Sequence, residues 1–227
     1  NTEWARLPPR VMRPDMTETP RSISVTGTGS AEAVPDLLTV SIGVECRRAA
    51  VDAAYGNAAQ ASSAITATLR DFGVANADIT TAGLNVRAEV SWQEGRGQLV
   101  SGYLASSTLS VRLRELAASS AVIAAAVTAG GDAVRLNGLE LGFADPSVVE
   151  SRAREAAWRD ARTAAEHFAS LAGARLGRVV SVSQQPGNAH PIPLARMKSV
   201  AASEPLTVEA GGSSVTAAVG VVWELLD

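Results

Sequence analysis

A chain of 227 residues, 46% of them hydrophobic, is long enough to bury a substantial core, roughly 70–75% of the surface exposed when unfolded. Its formal net charge of −3 leaves no electrostatic footprint for nucleic acid. One cysteine, Cys46, excludes an intramolecular disulfide, CxxC redox chemistry and a zinc finger.

Residues 1–20 are polar, contain Pro8, Pro9, Pro14 and Pro20, and show no periodicity, so they read as a disordered or extended tail. A domain is expected from Arg21 to Asp227. Leu38, Val40, Ile42, Val44 and Cys46 alternate with polar residues, the signature of a half-buried strand that turns Cys46 inward. The period then changes. Val51, Ala54, Ala58, Ala61, Ile65, Leu69 and Phe72 form one helical stripe, closed by Gly73. Alternation returns in Leu84, Val86, Ala88, Val90 and Trp92, and again from Tyr103 to Leu113 after a turn with Gly95 and Gly97, which predicts an antiparallel hairpin.

A helix over about 115–129 ends at Gly130-Gly131, and a strand runs through Val134, Leu136, Leu139 and Leu141. The next helix carries the strongest start signal: Asp145 can cap its free N–H groups, and Pro146 has no N–H to leave orphaned. Val149, Ala153, Ala156, Ala164, Phe168 and Leu171 are expected to line its inner face, with Glu155 and Arg159 paired at i,i+4 and Gly173 as the stop. A strand near Val179–Val182 leads into a long Pro-, Gly- and Ser-containing loop, about 184–206, of a length that is often functional. The last strand alternates through Val215, Ala217, Val219, Val221, Trp223 and Leu225. Strand–helix–strand therefore occurs twice, over 37–92 and 133–183, as in a duplicated unit. The fold class predicted is α+β, helices packed on a largely antiparallel sheet.

No catalytic constellation emerges. His167 falls mid-helix and His190 in the long loop, and they are the only histidines. No HExxH, GxSxG, P-loop or EF-hand pattern occurs. Gly27-Thr28-Gly29 lacks the third glycine of a dinucleotide loop, since position 32 is Glu32, and Pro35 follows where a helix would start. Two histidines and one inward cysteine make a poor metal-ligand supply, so no metal, cofactor or catalytic residue is assigned. Cys46 is expected to act as a small buried hydrophobe. Trp92, Tyr103 and Trp223 could line an apolar pocket, but their alternation places them in the core. No run reaches the ~20 apolar residues of a membrane span; Ala117–Ala129 is shorter and carries Ser119, Ser120 and Thr128. No export signal is visible at the start: either one preceded Asn1, or the natural start is Met16 and the protein is cytoplasmic.

Several local patterns together resemble the SIMPL-domain family. They are Ile23-x-Val25-x-Gly27-x-Gly29, Pro35-Asp36, Ile79-Thr80-Thr81-x-x-Leu84-x-Val86, Gly102-Tyr103-x-Ala105 and Gly130-Gly131 before Leu136-x-Gly138. The spaced alanines Ala153, Ala157, Ala161 and Ala165, the run Leu171-Ala172-Gly173 with Leu176-Gly177, and the ending Ala217-x-Val219-x-Val221-x-Trp223-x-Leu225 complete the match. The resemblance covers about 21–227 and departs from the family between Gln184 and Gly212.

It implies a bacterial envelope or periplasmic protein, non-enzymatic and forming homo-oligomers, in a family with links to oxidative stress and with no established catalytic residues. Two functions follow as expectations: a self-assembling scaffold, or a module binding a small ligand or peptide through the 184–206 loop.

Overall fold

The structure is a computed structural model, and it describes residues 21–95, 97–185, 192–193 and 211–227. The predicted tail and most of the predicted loop, His190 included, lie outside these residues. In chain order the elements are β1 (Ser22–Ala33), β2 (Leu37–Arg48), α1 (Val51–Asp71), β3 (Ile79–Gln93), β4 (Gly97–Leu113), α2 (Leu116–Gly130), β5 (Val134–Gly142), α3 (Ser147–Leu171), β6 (Arg175–Gln185), β7 (Ile192–Pro193) and β8 (Ser213–Leu226). The α+β class holds.

The strands form two antiparallel sheets. One has the order β3-β4-β2-β5; in the other β8 lies between β1 and β6, and β7 also pairs with β8. The predicted alternation of β2 is borne out: Leu38, Val40, Ile42, Val44 and Cys46 all point into one core. There they meet Ala54, Ala58, Ile65 and Leu69 of α1 and Val122, Ile123 and Ala126 of α2. A second core lies between α3 and the other sheet, built on Ala161, Ala165, Val221 and Trp223. The sheets are joined where β1 turns into β2: Pro35 is fully buried, Asp36 N–H donates to the Gly142 carbonyl (3.1 Å), and Ala144 N–H donates to Asp36 Oδ1 (2.7 Å). The two strand–helix–strand units differ in topology. β2–α1–β3 stays in one sheet, whereas β5–α3–β6 crosses from one sheet to the other.

Glycines set the closest approach in the molecule. Gly27 and Gly29 lie in the middle of β1, not in a turn, and α3 rests directly on them. A Cβ on Gly29 would stand 2.5 Å from the Ala153 carbonyl oxygen, and one on Gly27 would stand 2.6 Å from Ala161 Cβ. Only small residues can face such a surface, which corrects the predicted inner stripe of α3. The buried positions are Val149, Ala153, Ala157, Ala161, Ala165 and Ala169, while Phe168 and Leu171 are exposed. Bulky residues on the inner face would hold the helix off the sheet, so they sit outside it.

Helix starts and stops follow the predicted chemistry. Asp145 Oδ1 accepts the Ser147 N–H (2.9 Å), Pro146 already has helical dihedrals, and its carbonyl takes the Glu150 N–H. Gly73 and Gly173 adopt the positive φ that ends α1 and α3. The expected Glu155–Arg159 pair is absent; Arg159 donates to the Glu155 backbone carbonyl (3.3 Å), and the i,i+4 ion pairs are Glu150–Arg154 and Arg162–Glu166. Residues Leu116–Ala133 are long and apolar enough to cross a membrane by length and composition, a property the predicted 117–129 run understated. In the fold Ser119, Val122, Ile123 and Ala126 of this segment are buried against the core.

Candidate functional site

Four places could carry chemistry or binding. The first is a groove of about 520 Å³ beside α3. Because α3 is drawn onto β1 by its glycines, it leaves β6 partly uncovered, and Val182, Ala217 and Val219 form an apolar floor. Trp158 makes one wall, held by Trp223 at 5.9 Å between ring centroids and 52° between planes. Arg154 and Arg159 stand on the rim beside Glu155, and Gln184, from the start of the predicted loop, lines the groove from β6.

The second is Asp78, between α1 and β3. Its side chain is only 8% exposed, and it receives Arg114 through Nε and Nη2 (3.1 Å each) and Arg112 through Nη2 (2.8 Å). The hydrogen bond from Arg114 is the main reason its carboxyl is held below the ordinary carboxylate range, and the neighbouring positive charges add to it. Arg112 Nη2 also donates to the Ala77 carbonyl (3.3 Å), so the cluster ties the turn after α1 to the end of β4. A cavity of about 380 Å³ adjoins it, with Phe72, Val74, Leu113 and Val122 among its walls. Arginines two apart at the end of β4, with an aspartate just before β3, were the available sequence signal.

The third is Cys46, 6% exposed, at the base of a polar cavity of about 340 Å³ flanked by Arg47, Arg48 and Arg135. Its burial matches the predicted hydrophobic role. His167 is exposed on α3 against Phe168, in the other sheet's layer, so histidine and cysteine do not converge. Among the described residues no group of three or more His, Cys, Asp or Glu could hold a metal ion.

The fourth is the β3–β4 hairpin, and here the expected core placement fails. α1 covers β4 and β2 but reaches little of β3, so among the described residues the helix-side face of the hairpin is uncovered. Trp92 is 79% exposed, Leu84 60%, Val90 50% and Val86 37%; Val100 of β4 is exposed beside them. Tyr103 is half-buried against the first core, and Trp223 is buried in the second, so the three aromatic residues do not form one pocket. Alternation marked the correct face of β3 but could not show how far a helix reaches over it. On the opposite face Arg47 Nε meets both Glu89 oxygens (2.9 and 3.0 Å).

Against this geometry, the model of the SIMPL family, described as a protein of unknown function (DUF541), matches residues 23–223. The chain belongs to the SIMPL family. Among its relatives, the 26 kDa periplasmic immunogenic protein of Brucella melitensis is 30% identical over 229 residues, covering 96% of this chain and 90% of that protein. Uncharacterized protein YggE of Escherichia coli is 33% identical over 177 residues, covering 77% of this chain and 70% of that one. The SIMPL-typical positions have structural work in this fold: Gly27 and Gly29 admit α3, and Ala153, Ala157, Ala161 and Ala165 are the side that enters. Ala157 also contributes to the lining of the groove beside α3.

Proposed function

We propose that this SIMPL protein acts by self-association and not by turnover of a substrate, in the periplasm, the compartment that the name of its Brucella relative gives. The uncovered apolar face of the β3–β4 hairpin carries this reading, because four large side chains on one edge strand are costly to leave in water. Among the described residues β3 is also an edge strand, open to pairing with a further strand. Two buried candidates for chemistry among the described residues are already engaged, Asp78 by two arginines and Cys46 by packing. Light scattering coupled to size exclusion, run across micromolar concentrations, should give a mass above one chain; monomer throughout overturns the proposal. Secretion of the full-length gene product into the periplasmic fraction tests the location.

The groove beside α3 supports a second reading, binding of a single-chain amphiphile. Its apolar floor suits an alkyl chain, and Arg159, which forms no ion pair among the described residues, suits an acidic head group. Titration with dodecanoate should alter Trp158 emission and raise Tm. Equal responses from wild type and Val182→Asp reject this second reading.

A further inference from the structure

We infer that a second copy of this chain adds to β3 in antiparallel fashion about a two-fold axis through Ala88; this rests on the self-association proposed above and specifies its interface.

Among the described residues the two sheets present four strand edges, and three are compromised. The β1 edge is engaged by α3, whose Asp160 Oδ2 accepts the Thr28 N–H (2.9 Å). β6 shifts register twice, at Leu176/Val179 and Val179/Ser181, and β5 is broken by a bulge opposite Ser41/Ile42. β3 is different. Its extra residue, Ala82, lies near its start, and the second irregularity of the hairpin is taken up by Ser101 of β4. From Gly83 to Gln93 the strand therefore runs without interruption, and it contains no proline or lysine to blunt the edge.

The sequence of that stretch is complementary to itself. About Ala88, Leu84 lies opposite Trp92 and Val86 opposite Val90 of the second copy, all on the bare apolar face. On the other face Arg87 lies opposite Glu89, and Glu89 opposite Arg87. Arg87 forms no ion pair within the chain among the described residues, whereas Glu89 already holds Arg47. Pairing would convert that contact into a network in which each carboxylate sits between two guanidinium groups. Neighbouring registers are worse. An axis through Arg87 sets Arg87 against itself, and one through Glu89 sets Glu89 against itself; like charges directly opposite destabilise a strand pair. An isologous interface needs this kind of self-complementarity, each residue meeting its own counterpart in reverse order.

The test uses the full chain and four samples: wild type, Val86→Asp, Val90→Lys and the double variant V86D/V90K. Both valines are partly exposed, and circular dichroism with thermal melting checks that each variant folds. Light scattering with size exclusion should show each single variant dissociating at concentrations at least about tenfold above wild type. The double variant should recover much of the association, because the carboxylate introduced at position 86 then faces the ammonium introduced at position 90 of the second copy, twice. An equimolar mixture of the two single variants should also associate more strongly than either alone. If wild type associates while both single variants keep its mass, or if the double variant and the mixture do no better than the single variants, this interface is wrong and the self-association stands. If wild type is a monomer, the broader proposal falls with it.

Discussion

Substituting Gly29 by alanine tests whether the SIMPL glycines hold α3 to the sheet. An added Cβ would stand 2.5 Å from the Ala153 carbonyl oxygen, where real Cβ atoms stay beyond 3.0 Å. Relief requires α3 to retreat by roughly half an ångström or more, and the helix is fixed along its length by Ala157, Ala161 and Ala165. The obstacle is backbone, so shrinking a helix side chain cannot relieve it. Overpacking of this kind costs about 1–3 kcal/mol, occasionally more, and the rigid helix argues for the upper end. Alanine also gains about 0.4–1 kcal/mol by restricting the unfolded chain, so the net loss should be near 2 kcal/mol. Urea denaturation followed by far-ultraviolet circular dichroism measures it, with Gly83→Ala as control. Nothing lies within 4 Å of a Cβ at Gly83, and that variant should match wild type or exceed it slightly. A Gly29→Ala protein as stable as the control would show that α3 does not rest on β1 at this distance.

Asp78→Asn should cost about 1–3 kcal/mol, through lost charge-assisted hydrogen bonds, without changing the oligomeric mass. Because the Asp78 carboxyl titrates lower in the folded chain than in the unfolded one, its contribution is complete above the ordinary carboxylate range. It fades as pH falls through the depressed value, so the stability gap between wild type and Asp78→Asn should narrow on acidification; a gap independent of pH refutes the cluster. Asp145→Ala should lower Tm through loss of the bond to Ser147 N–H, and Asp145→Asn should restore most of it. Cys46 should resist thiol reagents in the native protein and react fully in urea; native labelling at the rate of an unfolded thiol would contradict its burial.

How much of this was legible in the sequence varied with the physics behind each feature. Alternation in β2 and β8, and the glycine stops of α1 and α3, are local, and the residues themselves state them. The inner face of α3 was misassigned because hydrophobicity favours Phe168 and Leu171, whereas the contact is set by the absence of side chains on Gly27 and Gly29, more than a hundred residues away. Trp92 was misplaced for a related reason: period two says which side of a sheet a residue takes, and a helix ending short of the edge decides whether that side is dry. Asp78 pairs across 36 residues with Arg114, a distance over which periodicity says nothing.

The contrast between β1 and β3 bears most on function. Both are edge strands of similar length, and both present residues that a sheet could extend. At β1 a whole helix is drawn within backbone contact, and a carboxylate from that helix takes an edge N–H that a neighbouring strand would otherwise claim. At β3 nothing comparable happens among the described residues, although α1 lies in the adjacent layer and a slightly wider helical cover would have buried Leu84 and Val86. A chain that closes one edge this thoroughly has the means to close the other. Leaving β3 straight, apolar on one face and alternately charged on the other therefore counts as a property of the surface in its own right, and a second strand is the partner whose geometry matches it.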